Sequence, residues 1–131
     1  MNWSRALIAG LVGGLVMNFA SFVTYGLILA DTYTRYPVFT QEATNPLYFF
    51  LVSGAIGVAS AFLFAKTRAS WPAGVKGGLA FGLFLGLALF FRPFFNPLVF
   101  EEFPYFLAWC WGGSEVIVAS VYGVVLGAIY K

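Results

Sequence analysis

The chain has 131 residues, 61% of them hydrophobic, 21% aromatic and only 9% charged, with a formal net charge of +2. Soluble domains carry about 25% charged residues, and a globular fold of this size leaves too much surface wet to hide so much apolar area. The small, dispersed positive charge excludes a nucleic-acid footprint, and the single cysteine, Cys110, excludes chemistry built on paired thiols.

A hydrocarbon core of ~30 Å needs ~20 apolar residues in a helix. In chain order, Met1–Arg5 and the apolar run behind it have the flavour of a signal peptide. The run continues to Ala30 with no small-residue cleavage site, so the first span is read as Ser4–Ala30 and retained. A polar connection, Asp31–Asn45, leads to the second span, Pro46–Ala65, with Asn45 as its cap. The third is Pro72–Phe91, the connection Arg92–Phe103 follows, and the fourth is Pro104–Tyr130. Proline stands at the start of the last three, where its missing N–H is harmless. The runs are too long for strands and lack alternation of period two. The expectation is an all-α, integral membrane four-helix bundle in one domain, residues 1–131.

Basic residues set the direction. Arg5, Lys66, Arg68, Lys76 and Lys131 fall on one side with no acid among them. The other side has Arg35 and Arg92 against Asp31, Glu42, Glu101 and Glu102. Both termini are expected in the cytoplasm. Arg92 is expected to pair with Glu101 and Glu102 in its own loop, with snorkelling or an inward bend toward Glu115 as alternatives.

Gly74, Gly78, Gly82 and Gly86 recur every four residues through the third span and so share one helix face. Gly10 and Gly14, followed by Asn18, repeat the pattern in the first span. Ser53, Gly57 and Ala61 do so in the second, and Glu115, Ala119, Gly123 and Gly127 in the fourth. Such strips let helix backbones approach closely in lipid, as in a glycine zipper. A weak internal repeat is also visible. Trp3, Gly10 and Gly14 match Trp71, Gly78 and Gly82 at one offset, which raises the possibility of two tandem helical hairpins.

Glu115 is the one carboxylate inside a span, roughly 16 Å down the helix from Pro104 at ~1.5 Å per residue. Charges at that depth are costly and enriched at functional sites. With Asn18, Ser21 and Tyr25 on the small face of the first span, it is expected to form a buried polar cluster. That cluster is either interhelical glue or a proton or cation site; the residues leave both open. Rings crowd the outward boundary, Phe39 among them, and Phe91, Phe94, Phe95, Tyr105, Trp109 and Trp111 form a candidate outer aromatic surface. That surface faces lipid tails or holds a lipidic ligand such as a quinone, pigment or lipid. The loose carboxylates lack the spacing of a metal cage, no nucleophile–base set can be assembled, and neither catalysis nor a cofactor is expected.

Ala9-Gly-Leu-Val-Gly-Gly-Leu15, Tyr25-Gly-Leu-Ile-Leu-Ala-Asp31 and Gly74-Val-Lys-Gly-Gly-Leu-Ala-Phe-Gly-Leu-Phe-Leu-Gly86 resemble stretches of uncharacterised four-span bacterial inner-membrane proteins. The resemblance implies an inner-membrane location and carries no activity. The leading expectation is a non-enzymatic packing or accessory subunit, associating with other membrane proteins, with itself and with membrane lipid. A small transporter or channel using Glu115 and a binder of a lipidic ligand are the alternatives.

Overall fold

The structure, a computed structural model, describes residues 1–36 and 45–130. Phe39, Glu42 and Lys131 therefore lie outside the described residues. Every described element is helical. Helix α1 (Trp3–Ser21) runs into a π-helical segment (Phe22–Ile28) and then a short α2 (Ala30–Thr34). Helix α3 is Leu47–Lys66, and α4 (Val75–Phe90) continues through a 3-10 turn (Arg92–Phe94) into α5 (Phe95–Val99). Helix α6 is Tyr105–Ile129. Four helical runs are long and apolar enough to cross a membrane: Trp3–Ile28, Leu47–Lys66, Val75–Val99 and Tyr105–Ile129.

Two boundaries differ from the sequence reading. The third span starts at Val75 rather than Pro72, because Gly74 takes φ 66° and ψ −147° just before it. That conformation is open essentially to glycine alone and stops the helix from extending backwards. Gly74 is thus a turn residue, although its carbonyl still receives α6. At the other end the chain does not leave the helix at Arg92. Pro93 sits where the 3-10 turn needs no amide donor, so helical backbone persists to Val99. The start of α3 is held by Asn45, whose Oδ1 accepts the Leu47 amide at 3.0 Å.

Helix α1 packs on α3 and on α6, and α6 packs on α4. Consecutive long helices therefore pair as hairpins, and the two hairpins join through α1 and α6. A two-fold relation between the hairpins would reproduce the α1–α6 contact between α4 and α3. Those two helices meet instead through the rings of Phe64 and Phe81, 5.1 Å apart. The packing does not repeat in the way the sequence offsets do.

Both hairpins close backbone to backbone. A Cβ built on Gly10 would lie 2.6 Å from Val58 Cα, and one on Gly14 would lie 2.7 Å from Ser53 O. One on Gly57 would run into the Gly10 carbonyl. Between α4 and α6, a Cβ on Gly78 would strike the Gly123 carbonyl and one on Gly123 would strike that of Gly78. A Cβ on Gly82 would meet the Ala119 carbonyl in the same way, one on Gly86 would lie 2.6 Å from Val116 Cα, and one on Gly127 would lie 2.5 Å from Gly74 O.

Fully buried Leu107 lies near the start of α6, while the hydrophobic core cluster fills the end of the bundle that carries Asn2 and Tyr130. Ala6 and Ala9 of α1, Phe64 of α3, Phe81 of α4 and Tyr122 and Leu126 of α6 form one cluster there. The Tyr122 hydroxyl donates to the Gly57 carbonyl, and the Asn2 amide donates to the Tyr130 hydroxyl at 3.2 Å. The connection at this end is tied by Arg68, which donates to the carbonyls of Trp71 (2.9 Å) and Pro72 (3.1 Å), and by Trp71 Nε1 donating to Thr67 Oγ1 at 2.9 Å.

Candidate functional site

The polar side chains gather at the opposite end. The segment Phe22–Ile28 closes with i→i+5 bonds, such as Leu29 N to Thr24 O at 3.2 Å. The Thr24 hydroxyl back-bonds to the carbonyls of Ala20 and Ser21, both at 3.1 Å, an arrangement that bends helices. Each i→i+5 turn takes up one residue more than an α-turn, so side chains beyond it swing out of the phase of α1. Isolated π-turns of this kind recur at functional sites.

The consequence falls on Tyr25. With an unbroken α-period it would stack above Asn18. In the structure its hydroxyl reaches α6, 3.5 Å from Glu115 Oε1 and 3.5 Å from the Trp111 carbonyl. Asn18 stays in phase with Gly10 and Gly14 and faces α3, where its Oδ1 accepts from Ser53 Oγ at 3.1 Å. The expected cluster is therefore divided. Tyr25 and Glu115 come together, Asn18 bonds to Ser53, and Ser21 lines a separate cavity beside Asn18.

Around half-buried Glu115 lies an open cleft of about 560 Å³, lined by Tyr25, Tyr33, Trp111, Arg92 and Asn96, with Pro93 and Phe95 as its apolar part. Trp111 Nε1 donates to the Tyr33 hydroxyl at 2.7 Å, which fixes both rings over the cleft. Burial pushes the Tyr33 phenol above its ordinary value, and the Trp111 N–H works against that shift. The helical turn at Arg92–Phe94 carries Arg92 to this cleft, within electrostatic reach of Glu115. That placement replaces the expected loop pairing with Glu101 and Glu102, because helical backbone continues where a loop was expected.

The outer aromatic surface also divides. Phe94 packs edge-on against Trp109 at 4.9 Å and against Tyr105 at 6.1 Å, with Phe91 beside it at 6.0 Å. Trp111 and Phe95 line the Glu115 cleft instead. Along a helix, Trp109 and Trp111 are two apart and cannot share a face.

A second cavity, about 650 Å³, lies between the far part of α1 and the start of α3. Phe19, Phe22, Phe49 and Phe50 make its wall apolar, Asn18 and Ser21 add small polar groups, and Tyr25 is common to both cavities. Both volumes fall in the range of ordinary ligand sites. Among the described residues no three His, Cys, Asp or Glu side chains gather as metal ligands would, and Cys110 is a free thiol.

Sequence reasoning missed Tyr33 and Asn96 as members of the site. The only signal for Tyr33 was its place one helical turn beyond the apolar run, which reads equally well as loop. No known protein family, curated protein or solved structure matches this chain.

Proposed function

We propose that this is an integral membrane protein, both termini cytoplasmic, that binds a small ligand in the cleft around Glu115 and performs no covalent chemistry on it. The observation that carries the reading is the convergence of an acid, a guanidinium and three ring side chains with polar atoms on one open cleft. Intramembrane ionisable groups are costly and tend to mark ligand or ion paths. The resemblance to four-span inner-membrane proteins supports a bacterial inner membrane, and the basic residues at the Asn2–Tyr130 end support the orientation. Gly10, Gly14 and Gly57, and Gly78, Gly82, Gly86, Gly123 and Gly127, act in this reading as packing faces of the glycine-zipper kind. These glycines meet backbone of the same chain.

Native mass spectrometry of the detergent-purified protein tests the binding reading. The expected result is a non-covalently retained small molecule whose occupancy falls at least tenfold in Glu115→Gln or Arg92→Gln. Retention that ignores both substitutions overturns it. Orientation is tested in a Cys110→Ser background, where a membrane-impermeant maleimide should label Glu101→Cys but not Asn2→Cys in intact cells.

A second reading, an accessory subunit or small homo-oligomer, is favoured by α3. Leu51, Val52, Ile56 and Leu63 on that helix are exposed, and its only extended helix partner among the described residues is α1. Light scattering in mild detergent tests it, and a monodisperse monomer with nothing bound defeats it.

A further inference from the structure

Resting on the cleft-binding reading, we propose that the ligand is a phospholipid with a zwitterionic, primary-ammonium headgroup, of the phosphoethanolamine class. The Glu115 cleft holds the headgroup and the apolar cavity across Tyr25 holds the start of an acyl chain.

The cleft carries both signs of charge. The Glu115 carboxylate has the Tyr25 hydroxyl beside it, and Trp111, bonded to Tyr33, shares the lining. An acid in a cleft lined with aromatic rings suits a cation. The Tyr25 hydroxyl reaches Glu115 Oε1 only at 3.5 Å, while a primary ammonium carries three donors that can approach the carboxylate, the Trp111 carbonyl and a phenol oxygen together. A quaternary ammonium has no N–H to give these acceptors. Arg92 and Asn96 line the same cleft. The Arg92 guanidinium is a fork suited to phosphate oxygens. A plain cation would be repelled by Arg92 and a plain anion by Glu115, whereas a headgroup carrying both charges satisfies each.

The lipid source follows from the second cavity. It shares Tyr25 with the cleft, and its wall is phenylalanine. Phe19, Phe22 and Phe49 at its margin are exposed, so an alkyl chain can enter from the side of the bundle. A free, water-soluble zwitterion would leave that space unused.

The test is native mass spectrometry of the full chain equilibrated with equal amounts of phosphatidylethanolamine, phosphatidylcholine and phosphatidylglycerol of matched acyl chains. Wild-type protein should retain the ethanolamine lipid about tenfold over the other two, as expected for one added charge-assisted contact. Glu115→Gln should erase the preference over the choline lipid, and Arg92→Gln should lower retention of all three. Ser21→Leu, which fills the apolar cavity away from the charges, should lower retention whatever the headgroup; helicity and elution volume report whether each variant is folded. Equal retention of the three lipids by wild type overturns the headgroup assignment. A phosphatidylglycerol preference governed by Arg92 alone overturns it too, while leaving the cleft as a binding site. Displacement by free phosphoethanolamine at concentrations comparable to the lipid overturns the acyl-chain part. Retention indifferent to Glu115, Arg92 and Ser21 overturns both the inference and the reading beneath it.

Discussion

The hydroxyl of Tyr122 on α6 donates to the carbonyl of Gly57 on α3, and its ring passes over Gly13 of α1, where an added Cβ would lie 2.6 Å from Cε2. One side chain thus ties three helices, and the glycine beneath it makes the room. Tyr122→Phe should destabilise the bundle by about 0.5–1.5 kcal/mol through the lost hydrogen bond. Gly13→Ala should destabilise the parent, and do so much less in a Tyr122→Ala background where the ring is gone. Helicity during detergent titration measures all four corners of this cycle, and equal effects in both backgrounds would refute the contact.

The α4–α6 interface predicts a contrast among glycines. Gly78→Leu or Gly123→Leu drives a side chain into a facing carbonyl and should destabilise by about 1–3 kcal/mol or more. Gly54→Ala and Gly113→Ala, where an added Cβ meets nothing within 4 Å, should be close to neutral. Thermal stability in detergent separates the two groups.

Gly74 is distinguished by its backbone rather than by its neighbours. An added Cβ there touches nothing, yet φ is 66°. Gly74→Ala should therefore destabilise by about 1–3 kcal/mol from strain alone. A neutral result in the same thermal assay would mean that the third span can begin earlier than Val75.

Deleting one residue from the π-helical segment, for instance exposed Val23, should return it to α-helical phase and turn Tyr25 away from Glu115. The expected outcome is a folded protein that has lost the Glu115-dependent part of ligand retention. Helicity by circular dichroism and retention by mass spectrometry read the two effects separately.

The reach of the sequence can be judged from these same residues. Length and hydropathy located four long helices because hydrocarbon thickness sets a minimum that few other structures meet. Spacing in steps of four placed Gly78, Gly82 and Gly86 together because α4 is regular. The expected meeting of Tyr25 with Glu115 is found, yet the same arithmetic put Tyr25 on the face of Asn18, which the structure does not show, since it assumes one period throughout and nothing about Phe22–Ile28 announces i→i+5 closure. It placed Asn18 with Glu115 because facing partners were guessed from depth, whereas α1 turns Gly10, Gly14 and Asn18 toward α3. Arg92 is read from sequence as the start of the connection Arg92–Phe103, whereas helical backbone continues through Pro93 to Val99 because a proline early in a helical turn interrupts nothing.

The joining of the hairpins through α1 and α6 bears on how the protein is made. Helices leave the ribosome in order, so the α1–α3 hairpin can settle while the later spans are still being synthesised. Tyr25 must then wait for α6 to bring Glu115 and Trp111. The cleft is the last part of the molecule to be assembled, and a nascent chain halted before Tyr105 would have its first hairpin closed and lack the Glu115 cleft.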